Sequence, residues 1–241
     1  MYFKNFQKAL YSFGTQEAAV VIQDFSKHAI LTEEAQDDVT IYETYTILQD
    51  ERPDTLSYRL YGTSEYYWTF FLVNDKLKES GWPLGRNALY ELGKKNYPHR
   101  AIRTTTNIGE TNFKKGVVAT GSQSGSTGVI KEVLLDIGTI IIDTPDNFNV
   151  GENLNVGSGG DAQSCVVTAD STQFDSVHHY ENTDGEYVDI DPHNPDLTGL
   201  VPTTNMERLI EFNDDLSNIN IISPKLIQRV ATQFMSKLKD N

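Results

Sequence analysis

Residues 66–73 leave this chain almost nowhere to put a polar face. Tyr66, Tyr67, Trp68, Phe70, Phe71, Leu72 and Val73 are aromatic or aliphatic, interrupted only by Thr69. Ser64 is placed to cap a helix running from Glu65 to about Asn74. A helix apolar nearly all round must be covered on most sides, by its own domain or by a partner. The residues before it prepare the same arrangement. Residues 44–48 have strand composition. Pro53 fits the start of a first helix, Asp54 is placed to cap the amides that follow, and Leu56 and Leu60 lie four apart on one face. Gly62 closes that helix in the left-handed conformation. Gly81, Trp82 and Pro83 make a turn, and residues 87–92 read as helical.

The flanking regions differ in character. Residues 1–42 have weak periodicity; 18–22 read as a strand or one helical turn, and the acidic run 32–38 as a solvated loop or short helix. Such a segment suits an arm that orders on a partner. Beyond residue 100, Gly121 to Gly128 reads as a flexible turn or linker. Residues 129–130, 139–142 and 165–168 read as strands, and 148–154 alternates around a turn. Together they predict a small antiparallel β domain inserted between two other parts. After 177 comes a polar loop rich in His, Asp and Pro, then a short strand at 219–222. Ser223 and Pro224 form a strong helix start. Leu226, Val230, Phe234 and Leu238 recur every four residues, joined by Ile227. That amphipathic helix either packs on its own domain or docks in a partner's groove. The expected class is α+β, with an N-terminal arm (1–42), a β-α-α module (43–100), a β-rich insert (101–176) and a C-terminal loop, strand and amphipathic helix (177–241).

Charge excludes some partners. The 241 residues carry 20 basic and 34 acidic side chains, a formal charge of −14. That surface repels phosphate backbones and anionic lipid, so neither nucleic acid nor membrane is expected as a partner. No run of about 18 apolar residues occurs. The N-terminus lacks a basic stretch followed by an apolar one, so the chain is expected to be made in the cytoplasm, leaving it only inside a larger particle.

A search for chemistry yields little. The single cysteine, Cys165, lies in a strand-like setting that favours a buried inert thiol. His178, His179 and His193, with Asp184, Glu186, Asp189 and Asp191 nearby, are the ligand types of a divalent metal site. Adjacent residues on a strand point to opposite faces, however, so His178 and His179 are not expected to share an ion. Asn182, Asp184, Gly185 and Asp191 fall at positions three, five, six and twelve of a calcium-type loop, but Tyr180 stands at its first position and Asp191 where Glu is usual. A solvated turn is the expectation. The adjacent pairs Glu33/Glu34 and Asp37/Asp38 lie in an open polar run that separates no pKa values. No phosphate loop, dinucleotide fingerprint or nucleophile elbow is present. No catalytic residue, metal or cofactor is expected.

Two resemblances sit on the 52–75 segment. Asp54-Thr55-Leu56, Tyr61-Gly62 and Asn74 resemble a LysM module, with Pro53 where that family usually has Gly and a helical 87–92 where it has its second strand. The fuller set is Arg52-Pro53, Leu60-Tyr61-Gly62, Tyr66-Tyr67-Trp68, Asn74-Asp75 and Gly81-Trp82, then residues 218–222 and the terminal helix. This set is similar to the gene-product-fifty-three family, baseplate wedge proteins of T-even-type contractile-tailed phages. The resemblance spans roughly 43–86 and 205–241. It implies a non-enzymatic structural subunit of the virion's tail baseplate that clamps the wedge core and links adjacent wedges. Its partners would be other baseplate wedge proteins and neighbouring wedges. Partner contacts are then expected from Tyr58, Tyr61, Tyr66, Tyr67, Trp68 and Phe71, from Trp82, and from the stripe Leu226, Ile227, Val230 and Phe234. The alternative is a LysM-type peptidoglycan-binding module of a tail or cell-wall-associated protein.

Overall fold

A computed structural model describes residues 8–12, 14, 18–24, 41–104, 112–192 and 196–240, the side chains of 238–240 excepted. Strands β1 (Lys8–Tyr11), β2 (Val20–Gln23) and β3 (Tyr42–Thr46) precede helices α1 (Pro53–Tyr61), α2 (Trp68–Val73), α3 (Asp75–Ser80) and α4 (Arg86–Asn96). Next come β4 (Arg100–Thr104), β5 (Val118–Gly121), β6 (Thr127–Leu134), β7 (Thr139–Asp143), β8 (Asn153–Val156) and β9 (Gln163–Thr172). Strands β10 (Val177–Glu181), β11 (Tyr187–Val188) and β12 (Val201–Thr204) lead to α5 (Asn205–Ser217), β13 (Asn218–Ile222) and α6 (Ile227–Asp240). The mixture of helices and strands agrees with the α+β expectation. The chain divides into two compact units, one of Met1–Arg86 with Asn213–Asn241, the other Asn87–Phe212.

The first unit is discontinuous in sequence. Its β3 pairs antiparallel with β13 in unbroken register, from Tyr42 opposite Ile222 to Thr46 opposite Asn218. Alternation sorts the faces. Ile219, Ile221 and Tyr45 join Leu56, Phe70, Leu77 and Leu216 in one core cluster. Thr44, Thr46, Asn218 and Asn220 are exposed. The strand that completes a β-α-α-β arrangement therefore comes from residues 218–222, while 87–92 are helical as read. A second cluster joins Trp68, Ile41, Ile222, Ile227, Val230, Ala231 and Phe234. Helix α2 feeds both clusters, Phe70 one and Trp68 the other, so an apolar-all-round helix is covered by its own unit.

Several local expectations are corrected. The helix expected from Glu65 to Asn74 is a 3-10 turn, Ser64–Tyr66, followed by α2 and then by α3. The cap is Thr63, whose hydroxyl accepts from the Glu65 N–H at 3.3 Å. Asp54 does not cap α1: Arg52 holds the N-cap position without a side-chain bond, and the Asp54 carboxylate pairs with Arg52 Nε at 3.2 Å. Gly62 does close α1 at φ 72°, its N–H donating to Tyr58. The C-terminal helix begins at Ile227, after a turn in which the Ser223 carbonyl accepts from the Leu226 and Ile227 amides. Residues 20–23 form a strand paired with β1. The acidic run 32–38, His193 and the Leu238 side chain lie outside the described residues.

The second unit contains a closed barrel in the order β4-β7-β6-β5-β8-β9, antiparallel throughout. Ile102, Ile130, Ile140, Ile142, Leu154 and Val167 fill it with no exposure. Closure removes free sheet edges, which the short, strongly β-forming strands would otherwise present. Of Gly121 to Gly128, read as a flexible turn or linker, residues 122–126 form a turn between strands. It is the β5–β6 turn, held by the Glu152 carboxylate, which accepts from the Gln123 and Ser124 amides (2.7 and 2.9 Å), the Ser124 hydroxyl (2.7 Å) and the Asn149 amide (2.6 Å). Burial alone would raise the carboxyl's pKa; these donors outweigh it and hold the group down to about 2. The region expected as a polar loop after 177 contains a three-stranded sheet, β11-β10-β12. Residues 205–217, read as part of that loop, form α5.

Candidate partner interface

The aromatic motif builds one side of the first unit. Tyr61, at the end of α1, stacks on Phe70 (5.9 Å, 22°) and meets the edge of Tyr66 (5.9 Å, 83°). Its hydroxyl donates to the Ile222 carbonyl at 2.9 Å, and burial pushes the phenol well above its ordinary pKa. Asn74, between α2 and α3, accepts from the Asn220 N–H and donates to the Asn220 carbonyl, both at 2.8 Å, as a neighbouring strand would. The same amide donates to the Phe70 carbonyl at 2.8 Å, ending α2. Tyr61 and Asn74 of the sequence motif thus cover the outer edge of β13 at Asn220 and the Ile222 carbonyl.

Trp82 leans on Phe70 and Phe71 (5.9 and 5.8 Å), and its indole N–H donates to the Glu51 carbonyl at 2.7 Å. The Glu51 carboxylate pairs with Arg59 at 2.6 Å and accepts from the Tyr45 hydroxyl at 3.1 Å. The Arg59 guanidinium also lies 5.3 Å over the Tyr45 ring. Trp68 stacks on Phe234 of α6 at 5.1 Å.

Most of the eleven aromatic and aliphatic residues expected to meet a partner have much of their surface covered by their own unit. Trp68, Ile227, Val230 and Phe234 are buried, and Tyr61, Tyr66, Tyr67, Phe71, Trp82 and Leu226 are half-buried. Tyr58, on the outer face of α1, is 67% exposed. Leu48, which the sequence reading did not single out, is exposed in the same unit, as are Leu10, Val20 and Val21 on the β1–β2 ribbon. The short continuous apolar runs 9–11 and 18–22 were the available signal for that ribbon.

In the second unit the rings of His178 and His179 meet, although adjacent strand residues are expected to point to opposite faces. Strand β10 carries a bulge against β12 between Val177 and His179. The extra residue breaks the strict alternation that would have separated them. The His178 and His179 Nδ1 atoms lie 2.9 Å apart, and His179 Nε2 lies 2.9 Å from Glu181 Oε1. Desolvation, with Arg208 nearby, lowers the His178 pKa. Among the described residues no group of three His, Cys, Asp or Glu side chains is placed to hold a metal. The calcium-like segment is a hairpin turn: Asn182 Oδ1 accepts from the Asp184 and Glu186 amides, both at 2.9 Å. Cys165 is buried in the barrel, and desolvation pushes its thiol up to about 12. No described helix is long and apolar enough to cross a membrane.

No curated protein matches the chain. Residues 3–105 match the family model described as base plate wedge protein 53. The matched segment holds the whole aromatic motif from Arg52 to Trp82 and ends just after β4; residues 205–241, part of the resemblance read from the sequence, lie beyond it. The match supports a structural baseplate role in a phage tail.

Proposed function

We propose that this chain is a structural baseplate wedge subunit that clamps the wedge core and links adjacent wedges through protein–protein contacts. The observation that carries this reading is the family-model match over residues 3–105, which contains the aromatic motif. The β3-α1-α2-β13 arrangement is read as a LysM-like module reused to bind protein, its second strand supplied from beyond the barrel unit. In this reading Tyr58 touches the partner directly. Trp68, Ile227, Val230 and Phe234 act by holding the presenting surface in shape.

That division decides the test. A charge at Val230 or Phe234 would unfold the first unit and say nothing about docking. Tyr58→Ala leaves the core intact, and its loss of contact area is read in partner recovery. The tagged chain is co-expressed with the other tail proteins of its source, and co-purifying proteins are identified by mass. A stoichiometric set of tail structural proteins, reduced severalfold by Tyr58→Ala, is the expected outcome. Recovery of the chain alone, with those proteins soluble, overturns the clamp role; pelleting with insoluble peptidoglycan would then favour the glycan-binding alternative.

A further inference from the structure

The two edges of the β3–β13 ribbon are treated unequally. The Ile47 N–H donates to the Ser217 carbonyl and the Ser223 N–H to the Ile41 carbonyl, both at 2.8 Å. With the unbroken register between them, these bonds fix the alternation: residues 41, 43, 45 and 47 bond inward to β13, and the amides and carbonyls of Thr44 and Thr46 point away from it. Three of the corresponding outward groups on β13 are covered: Asn74 takes both from Asn220, and Tyr61 takes the Ile222 carbonyl. No such cover is present for Thr44 and Thr46 among the described residues, and both are exposed.

Natural edge strands are blunted by shortness, charged side chains, proline, a bulge or a covering segment, and of these devices β3 carries one charge, Glu43, on a five-residue strand. The sequence of β3, Tyr-Glu-Thr-Tyr-Thr, has no proline or lysine, its register is unbroken, and its β-forming propensity is high. An edge of this kind offers a row of donors and acceptors that another extended backbone can satisfy together.

We propose that the outer edge of β3 receives an extended strand from another protein of the assembly, which pairs with Thr44 and Thr46 and makes the ribbon three-stranded. Glu43, exposed on the same strand, favours lysine or arginine at the facing position of the incoming segment. This rests on the baseplate reading and adds the mode of contact to it.

The test is amide hydrogen exchange on the full chain, free and in the complex recovered with the co-expressed tail proteins. The Thr44 and Thr46 amides are expected to exchange quickly in the free chain and about a hundredfold more slowly in the complex. Thr44→Pro removes an outward donor without touching the β13 bonds, so the variant stays folded but loses the complex. Glu43→Pro, which removes an inward bond, is the unfolding control. A complex that forms with Thr44 and Thr46 unprotected, or that Thr44→Pro leaves intact, overturns the strand pairing while leaving the baseplate reading standing. Absence of any complex overturns that reading itself, and the pairing with it. Protection appearing in the concentrated chain alone assigns the edge to a second copy and overturns the proposal.

Discussion

At the scale of the residue, two side chains do the work of backbone. Asn74 satisfies both outward groups of Asn220 and the Phe70 carbonyl. Asn74→Ala leaves the buried Phe70 carbonyl and the partly buried groups of Asn220 without their partner, and a loss of about 1–3 kcal/mol is expected, read by denaturant unfolding followed through tryptophan fluorescence. Glu152 plays the parallel part in the barrel, a buried carboxylate with four donors. Its folded pKa of about 2 lies below the ordinary 4.5, so the unfolded chain takes up the proton first. The stability it contributes is fully present above pH 4.5 and is lost as pH falls toward 2. Glu152→Gln keeps one acceptor and adds a donor facing donors. The variant is expected to be about 2–4 kcal/mol less stable at neutral pH. Unfolding measured across the interval from 4.5 to 2 should show wild type converging on the variant; parallel curves would mean that the carboxylate's charge contributes nothing.

At the scale of the element, what was legible in the sequence was local. Pro53 and Gly62 mark α1 because their φ preferences act within one turn. The β7 and β9 strands announce themselves by β-branched runs. The pairing of β3 with β13 was not legible, since it joins residues 172 apart in sequence at Thr46 and Asn218. Nor was the His178–His179 contact, which depends on a bulge in register rather than on residue type. The Gly-rich turn misled because Gly and Ser suggest freedom, while the group that orders it, Glu152, lies well beyond it in the chain. Gly128 shows the same dependence on distant residues. A Cβ there would lie 2.5 Å from Ile142 Cγ2 and 2.8 Å from the Asp143 carbonyl oxygen. Gly128→Ala must push β6 away from β7, and a loss of about 1–3 kcal/mol is expected from the barrel's unfolding curve. Phe234→Ala tests α6 in turn: removing the ring from Trp68 should cost about 3–5 kcal/mol and shift tryptophan emission to the red.

At the scale of the whole molecule, the first unit is interrupted by the second, and the interruption has a defined seam. The Asn213 amide donates to the Leu84 carbonyl at 3.1 Å and accepts from the Leu84 N–H at 2.7 Å. The chain thus leaves the first unit and re-enters it at neighbouring points, so a short connection suffices to rejoin them. Each core cluster of the first unit draws only on residues outside 87–212. The barrel cluster draws only on residues within that range. A chain of residues 1–86 joined by a few Gly and Ser residues to 213–241 should therefore fold. Trp68 and Trp82 would be as shielded as in the full chain, and unfolding would be a single cooperative step. Shortening the loop that must close costs little and favours the ribbon if anything, because closure entropy grows with loop length. If the joined chain is unfolded, the β3–β13 pairing depends on the barrel unit as a scaffold. If it folds and still recruits the tail proteins, the contacts belong to the β-α-α-β module. If it folds and recruits none, the barrel carries them.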